Sequence, residues 1–177
     1  VSGCAIGNVN GTVVVSGENA VLNNTVVDKV NGDVIDSAGN ATVSGGAISN
    51  INGTVVNASG SANITDTIIT DVNGTVVISN GTIMTVSPIH GTYPESGVIQ
   101  VYLPSDATGT VTVFKDNVPI ANATVSGSIT NIQLPDLPIG SYTFNVTYSG
   151  DDKYDSDSKL ITLPINKADV NQNSVTL

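Results

Sequence analysis

The hexapeptide Val9-Asn10-Gly11-Thr12-Val13-Val14 returns three more times in the first half of the chain. The copies are Val30-Asn31-Gly32-Asp33-Val34-Ile35, Ile51-Asn52-Gly53-Thr54-Val55-Val56 and Val72-Asn73-Gly74-Thr75-Val76-Val77. Successive Asn-Gly pairs are 21 residues apart each time, with no insertion between them. A fixed period of this size is typical of stacked-repeat proteins.

The residues between the Asn-Gly pairs follow the same period. Several positions of the repeat hold only apolar residues, and polar or glycine positions separate them. The apolar runs are two or three residues long and rich in β-branched side chains, which favours short strands over helices. Such strands can bury their apolar side chains only against neighbouring repeats. We expect the Val and Ile columns to fill the interior of the stack. The apolar columns include Ala20, Ala41, Ala62 and Ile83; Val1, Leu22, Val43 and Ile64; and Ile6, Val27, Ile48 and Ile69.

The sequence therefore predicts an all-β protein that begins with a parallel β-solenoid over residues 1–85. The solenoid is expected to be a β-helix with 21-residue coils and three short strands per coil. The Asn-Gly pairs fit its corners, since glycine accepts a positive φ and stacked amides form ladders. Because Val1–Ile6 aligns with Val43–Ile48, we expect these coils to be the C-terminal part of a longer solenoid. The predicted structural Asn-Gly ladder consists of Asn10, Asn31, Asn52 and Asn73.

The pattern changes after Thr85. Segments such as Val98–Leu103 and Thr110–Phe114 alternate between apolar and polar residues, which indicates half-buried strands. Six or seven such strands with turn signals between them predict an antiparallel β-sandwich over residues 86–165. Tyr142 follows a turn at the start of the penultimate strand, which is the position of the tyrosine corner in immunoglobulin-like (Ig-like) sandwiches. Residues 166–177 are expected to be a linker or the first strand of a following repeat.

Three stretches of this second half carry a resemblance to a known family. They are Gly91–Pro94 (GTYP), Asp106–Val113 (DATGTVTV) and Leu134–Tyr154 (LPDLPIGSYTFNVTYSGDDKY). The segment resembles the Ig-like repeats of adhesin-like cell-surface proteins of methanogenic archaea. The resemblance implies β-helical repeats followed by Ig-like repeats, a presence outside the cell at its surface or wall, and a role in cell adhesion. It supplies no catalytic residue.

The composition limits the classes of partner. The chain has a formal net charge of -10, with five Lys and no Arg, so nucleic acid is not an expected partner. No apolar run approaches the ~18 residues of a membrane-spanning helix, so we expect no membrane insertion within this segment. The expected partner is a surface ligand such as a carbohydrate or another cell's surface, and self-association is a further expectation because unpaired strand edges invite strand pairing.

Parallel β-helices also include polysaccharide lyases, which makes an enzyme the alternative function. Such a site needs clustered carboxylates and a base, and Asp28, Asp33 and Asp36 occur on one coil with Glu18 nearby. The solenoid repeats contain Lys29 as their only cation and no His, and the next coil does not keep this set of acids. We therefore predict no catalytic residue and no cofactor.

The loop from Asp151 to Asp157 is the one candidate metal site. Its carboxylates, Asp151, Asp152, Asp155 and Asp157, are the oxygen ligands that calcium prefers. The spacing is not that of an EF-hand, and Lys153 offsets part of the charge. An ordinary polar loop is the alternative.

Ten Asn residues occupy Asn-x-Ser/Thr sequons and are glycosylation candidates if the protein is exported. An amide inside a stacked column is a poor acceptor, so we expect glycans at exposed positions such as Asn122. The ten are Asn10, Asn23, Asn40, Asn52, Asn57, Asn63, Asn73, Asn80, Asn122 and Asn145.

These features together predict a non-enzymatic surface protein, with a rigid solenoid stalk and an Ig-like spacer. The alternatives are a self-assembling filament or surface-layer subunit that exchanges edge strands or its C-terminal strand, and a lyase-type β-helix enzyme.

Overall fold

The computed structural model describes residues 1–80, 82 and 84–167, and every regular element among them is a β-strand. This part of the chain therefore contains no helix long and apolar enough to cross a membrane. Apart from Asn166 and Lys167, the predicted linker or strand at 166–177 lies outside the described residues. The strands of the first half are β1 (Ala5–Asn10), β2 (Val14–Ser16), β3 (Ala20–Asn31), β4 (Ile35–Ser37), β5 (Ala41–Ala58), β6 (Ala62–Thr65), β7 (Ile68–Ile69) and β8 (Val72–Ser79).

All of these strands pair in parallel with a strand one repeat away. The register places Asn10 beside Asn31, Asn31 beside Asn52, and Asn52 beside Asn73. Backbone bonds such as Val14 N to Val34 O, at 2.9 Å, join successive coils. The predicted parallel β-solenoid with 21-residue coils is confirmed, and it has about four coils.

The ladders run through some of the corners, so strands β3 and β5 span 12 and 18 residues. The chain bends there without losing its backbone pairing to the next coil. Two columns of residues in the left-handed backbone conformation lie at these bends, with φ between 46° and 70°. Non-glycine residues in this region are uncommon, and Asn and Asp tolerate it best. The columns are Asn8, Lys29, Asn50 and Asp71, and Gly3, Asn24, Gly45 and Asp66.

The interior of the solenoid is mainly a stack of Val, Ile, Leu and Ala side chains. Val27, Ile48 and Ile69 lie one above another and are fully buried. Val34, Val55 and Val76 form a second such column, after the Asn-Gly corner. Burial of aliphatic side chains is the main stabilising contribution here, at about 1.5–3 kcal/mol for each.

The second half is a sandwich of two antiparallel sheets. One sheet has the order β13-β10-β9 and the other β12-β11-β14-β15. The Tyr142 hydroxyl donates a hydrogen bond to the Pro138 carbonyl at 2.6 Å, which is the geometry of a tyrosine corner. The strands are β9 (Thr85–His90), β10 (Gly97–Tyr102), β11 (Thr110–Lys115), β12 (Val118–Thr124), β13 (Ile129–Gln133), β14 (Gly140–Tyr148) and β15 (Asp157–Ile165).

Strand β9 connects the two halves without a linker. It contacts β6 of the last coil, and Asp66 N, just after β6, donates to Pro88 O at 2.9 Å. It also pairs antiparallel with β10 of the sandwich. One strand therefore belongs to the end of the solenoid and to the start of the sandwich.

Candidate functional site

The Asn side chains of the repeated hexapeptide form a continuous ladder on the solenoid surface. Each Nδ2 group donates to the Oδ1 atom of the preceding coil. The distances are 3.0 Å for Asn31 to Asn10, 2.9 Å for Asn52 to Asn31 and 3.1 Å for Asn73 to Asn52. The ladder joins the corners of successive coils through side-chain hydrogen bonds.

The three aspartates that raised the enzyme alternative each accept hydrogen bonds from the following coil. Asp28 accepts from Asn50 Nδ2 at 2.7 Å, Asp33 from Thr54 N at 2.9 Å, and Asp36 from Asn57 Nδ2 at 3.2 Å. The amide of Asn50 is the main cause that lowers the pKa of Asp28. Among the described residues, no three His, Cys, Asp or Glu side chains are grouped so that they could hold a metal ion. The structure thus places these acids as separate links between coils.

The loop predicted as a calcium candidate does not gather its four carboxylates into such a group. Asp151 instead accepts hydrogen bonds from the backbone N–H groups of Thr108, Lys153 and Tyr154, each at 2.7 Å. The N–H group of Thr108 has the largest effect, and together these donors hold the pKa of Asp151 well below its usual range. Asp157 accepts from Ser158 N at 2.8 Å, while Asp152 and Asp155 are exposed. In the structure, Asp151 organises the loop.

A second carboxylate in the same region was not singled out from the sequence. Asp106, in the loop before β11, accepts a hydrogen bond from Tyr154 Oη at 2.7 Å and pairs with Lys153 Nζ. Lys153 is the main cause that lowers the pKa of Asp106. The loops 103–109 and 149–156 are thereby tied together at one end of the sandwich.

The ten sequons differ in what their amide nitrogens do. Three of them, at Asn52, Asn57 and Asn73, donate Nδ2 to the preceding coil. Asn122 is exposed on β12, which is an edge strand of its sheet. A glycan is attached through Nδ2, so the coil-to-coil bonds compete with glycosylation at the first three positions.

Strand β10 has two buried faces, and they serve different cores. Ile99 and Val101 point into the sandwich, where they pack in its hydrophobic core. Tyr102, on the other face, is 2% exposed and packs in the core of the solenoid. The β13-β10-β9 sheet therefore lies across the last coil and fills its open end with an aromatic ring.

Gln100 completes this contact through its side-chain amide. Its Nε2 donates to the Ile69 carbonyl at 3.2 Å, and its Oε1 accepts from Ile69 N–H at 3.4 Å and from Tyr102 Oη at 2.8 Å. The amide thus bonds to the last coil as the backbone of a further coil would. Burial raises the pKa of the Tyr102 hydroxyl above its usual range.

Two contacts at the periphery add to the junction. Ser128 Oγ donates to the Gly74 carbonyl at 2.7 Å. His90 N donates to Asp66 Oδ1 at 3.1 Å, and the imidazole Nδ1 meets the same carboxylate oxygen. His90, which the sequence places outside the repeat, is therefore a junction residue.

Comparison with known families identifies the second half of the chain. Residues 84–166 match the family described as Bacterial Ig-like domain (group 3). The match covers all seven strands β9–β15. No curated protein and no solved structure matches the chain. The chain thus combines a parallel β-solenoid with an Ig-like domain, an arrangement that fits a structural surface protein.

Sequence reasoning missed the residues that join the two modules. Gln100 and Tyr102 occupy the polar positions of an alternating strand, which usually face solvent. The sequence does contain one signal of this contact. Gln100 and Tyr102 are large side chains with polar groups, and they lie on the face of β10 that is opposite to Ile99 and Val101. Only the position of the last coil shows why both faces of β10 are buried.

Proposed function

We propose that the chain is a non-enzymatic, adhesin-like component of the cell surface or wall, in which a stiff solenoid carries an Ig-like domain outward for attachment. Localisation outside the cell is consistent with the Ig-like family, whose members are common in extracellular and surface proteins. The resemblance to surface proteins of methanogenic archaea favours a glycosylated adhesin in particular.

The contact between Tyr102 and the solenoid core is the observation that carries this proposal. A stalk transmits position and force only if its modules cannot swing freely about a flexible linker. Here β9 belongs to both modules, and the Gln100 amide bonds to the last coil. These contacts join the two modules directly.

The non-enzymatic part of the proposal rests on the roles of the acids. Asp28, Asp33 and Asp36 each bond to the next coil, and an acid so engaged is poorly placed to exchange protons with a substrate. Incubation with acidic polysaccharides, with and without calcium, is expected to release no unsaturated or reducing ends. Release that is abolished by substitution of these three aspartates would establish the lyase function instead.

Surface location is tested by labelling intact cells of the source organism with antibodies raised against the chain. We expect labelling without permeabilisation and loss of labelling after mild protease treatment of whole cells. Labelling that requires permeabilised cells would contradict the proposal. A cytoplasmic protein labelled in parallel reports whether the cells stayed intact.

A further inference from the structure

A cleft of about 330 Å³ lies between the last coil and the Ig-like domain. Coil residues such as Ser61, Asn63 and Asn80 line one part of it. Another part is lined by Met84–Val86, at the start of β9, and by Lys159 of β15. Clefts between modules are a preferred location of ligand sites. The cleft is separate from the Tyr102 contact, since neither Gln100 nor Tyr102 lines it.

The coil side of this cleft is rich in hydroxyl and amide groups with spare bonding capacity. At other positions of the earlier coils, some polar side chains bond to a neighbour one period earlier, as Ser44 Oγ does to Asn23 and Asn57 Nδ2 to Asp36. The side chains of Ser61, Asn63 and Asn80 make no hydrogen bond to another described residue, although their coil contributes backbone bonds. Such groups suit the hydroxyls of a sugar.

Lys159 supplies a positive charge from the opposite side of the cleft. It lies on the same face of β15 as the core residue Leu163, by the two-residue alternation of a strand. It is half-buried, and no carboxylate among the described residues lies within 4.0 Å of its ammonium group. Three other lysines have such a partner: Lys29 with Asp28 at 3.9 Å, Lys115 with Asp116 at 3.1 Å, and Lys153 with Asp106.

We propose that this cleft, in protein whose Asn63 and Asn80 carry no glycan, binds an acidic saccharide, with the sugar carboxylate on Lys159 and sugar hydroxyls on Ser61, Asn63 and Asn80. The assignment deepens the proposed attachment function and rests on it for its biological meaning. Binding involves no covalent step. The charge-assisted bond to Lys159 provides discrimination against neutral sugars.

The test is calorimetric titration of the full chain with tetragalacturonate. The protein is made in a bacterial host without N-glycosylation, so that Asn63 and Asn80 carry no glycan. We expect saturable one-site binding that weakens as salt is raised. Lys159→Met is expected to lower the affinity for tetragalacturonate at least about tenfold, because loss of a hydrogen bond to a charged group reduces affinity by that factor or more. Lys159→Arg is expected to preserve most of the affinity.

Lys115→Met is the matched control, since it removes a lysine from the same domain outside the cleft, and it should bind as wild type does. Equal affinity of Lys159→Met and wild type would overturn the assignment, as would equal binding of neutral maltotetraose. Failure to bind tetragalacturonate would also overturn it. That result is distinguishable from failure of the surface proposal, because antibody labelling of intact cells does not depend on the cleft.

Discussion

At the scale of single residues, many polar side chains of this protein bond to another part of the same chain. Asp151 illustrates this, because its carboxylate ties three backbone N–H groups from two loops. The sequence drew attention to the loop through its four acids but indicated calcium. It did not reveal that Thr108, 43 residues earlier, would provide donors to Asp151. Such a non-local partner has no local sequence signal.

Acid is expected to weaken the loop through Asp151. Its folded-state pKa is depressed, so its contribution to stability is present above the ordinary Asp value of about 3.9 and is lost as pH falls below that value. Asp151→Asn should lower Tm at neutral pH, and the difference from wild type should shrink between about pH 5 and pH 2. Thermal unfolding across this range checks it, with Asp152→Asn, an exposed neighbour, as the control. A Tm difference that stays constant with pH would contradict this role.

Sequon use is expected to follow the hydrogen bonds of the amide nitrogens. In a host that N-glycosylates secreted proteins, Asn122 should carry a glycan, whereas Asn52 and Asn73 should remain unmodified in the folded protein. Glycopeptide mass spectrometry measures the occupancy of each site. Substantial occupancy at Asn52 or Asn73 would show that the ladder does not protect its amides.

At the scale of elements, the coil is the unit that the sequence predicted best. An unbroken period and β-branched columns are enough to predict the stacking, because a coil can bury its apolar side chains only against a neighbour. The bends were harder to assign. The column of Asn8, Asn50 and Asp71 has residues that favour a left-handed conformation, but Lys29 interrupts it and hides the pattern. The Asn-Gly corner, in contrast, was recognised from its glycine.

The glycines of these corners are predicted to be indispensable only where a coil lies beneath them. A Cβ atom on Gly53 would meet the Gly32 carbonyl carbon at 2.7 Å, whereas a Cβ atom on Gly11 would meet nothing within 4 Å. Both have positive φ, of 154° and 129°, so both Ala variants carry backbone strain. Gly53→Ala should therefore lower the free energy of unfolding by a further ~1–3 kcal/mol compared with Gly11→Ala. Urea titrations of the two variants make the comparison, and equal losses would contradict the close stacking of the corners.

At the scale of the whole molecule, the Ig-like domain serves as the end cap of the solenoid. The domain itself was predictable from the alternation of its strands and from Tyr142. Its attachment was not, because burial of the second face of β10 depends on where the last coil ends. The cap removes one exposed sheet edge, the kind of edge that otherwise promotes association. The buried Tyr102 ring and the Gln100 amide make it specific.

The most direct test of this cap is hydrogen exchange of the last coil, residues 62–79, in wild type and in Tyr102→Ala. Removing a fully buried aromatic ring costs about 3–5 kcal/mol. This loss is smaller than the free energy of unfolding of the most stable domains, which is about 15 kcal/mol. We therefore expect faster exchange in the last coil, including the Ile69 amide, while the Ig-like core strands keep their protection. Tyr93→Ala, at a tyrosine that is 46% exposed, should leave the last coil unchanged. Wild-type protection of residues 62–79 in Tyr102→Ala would contradict the account.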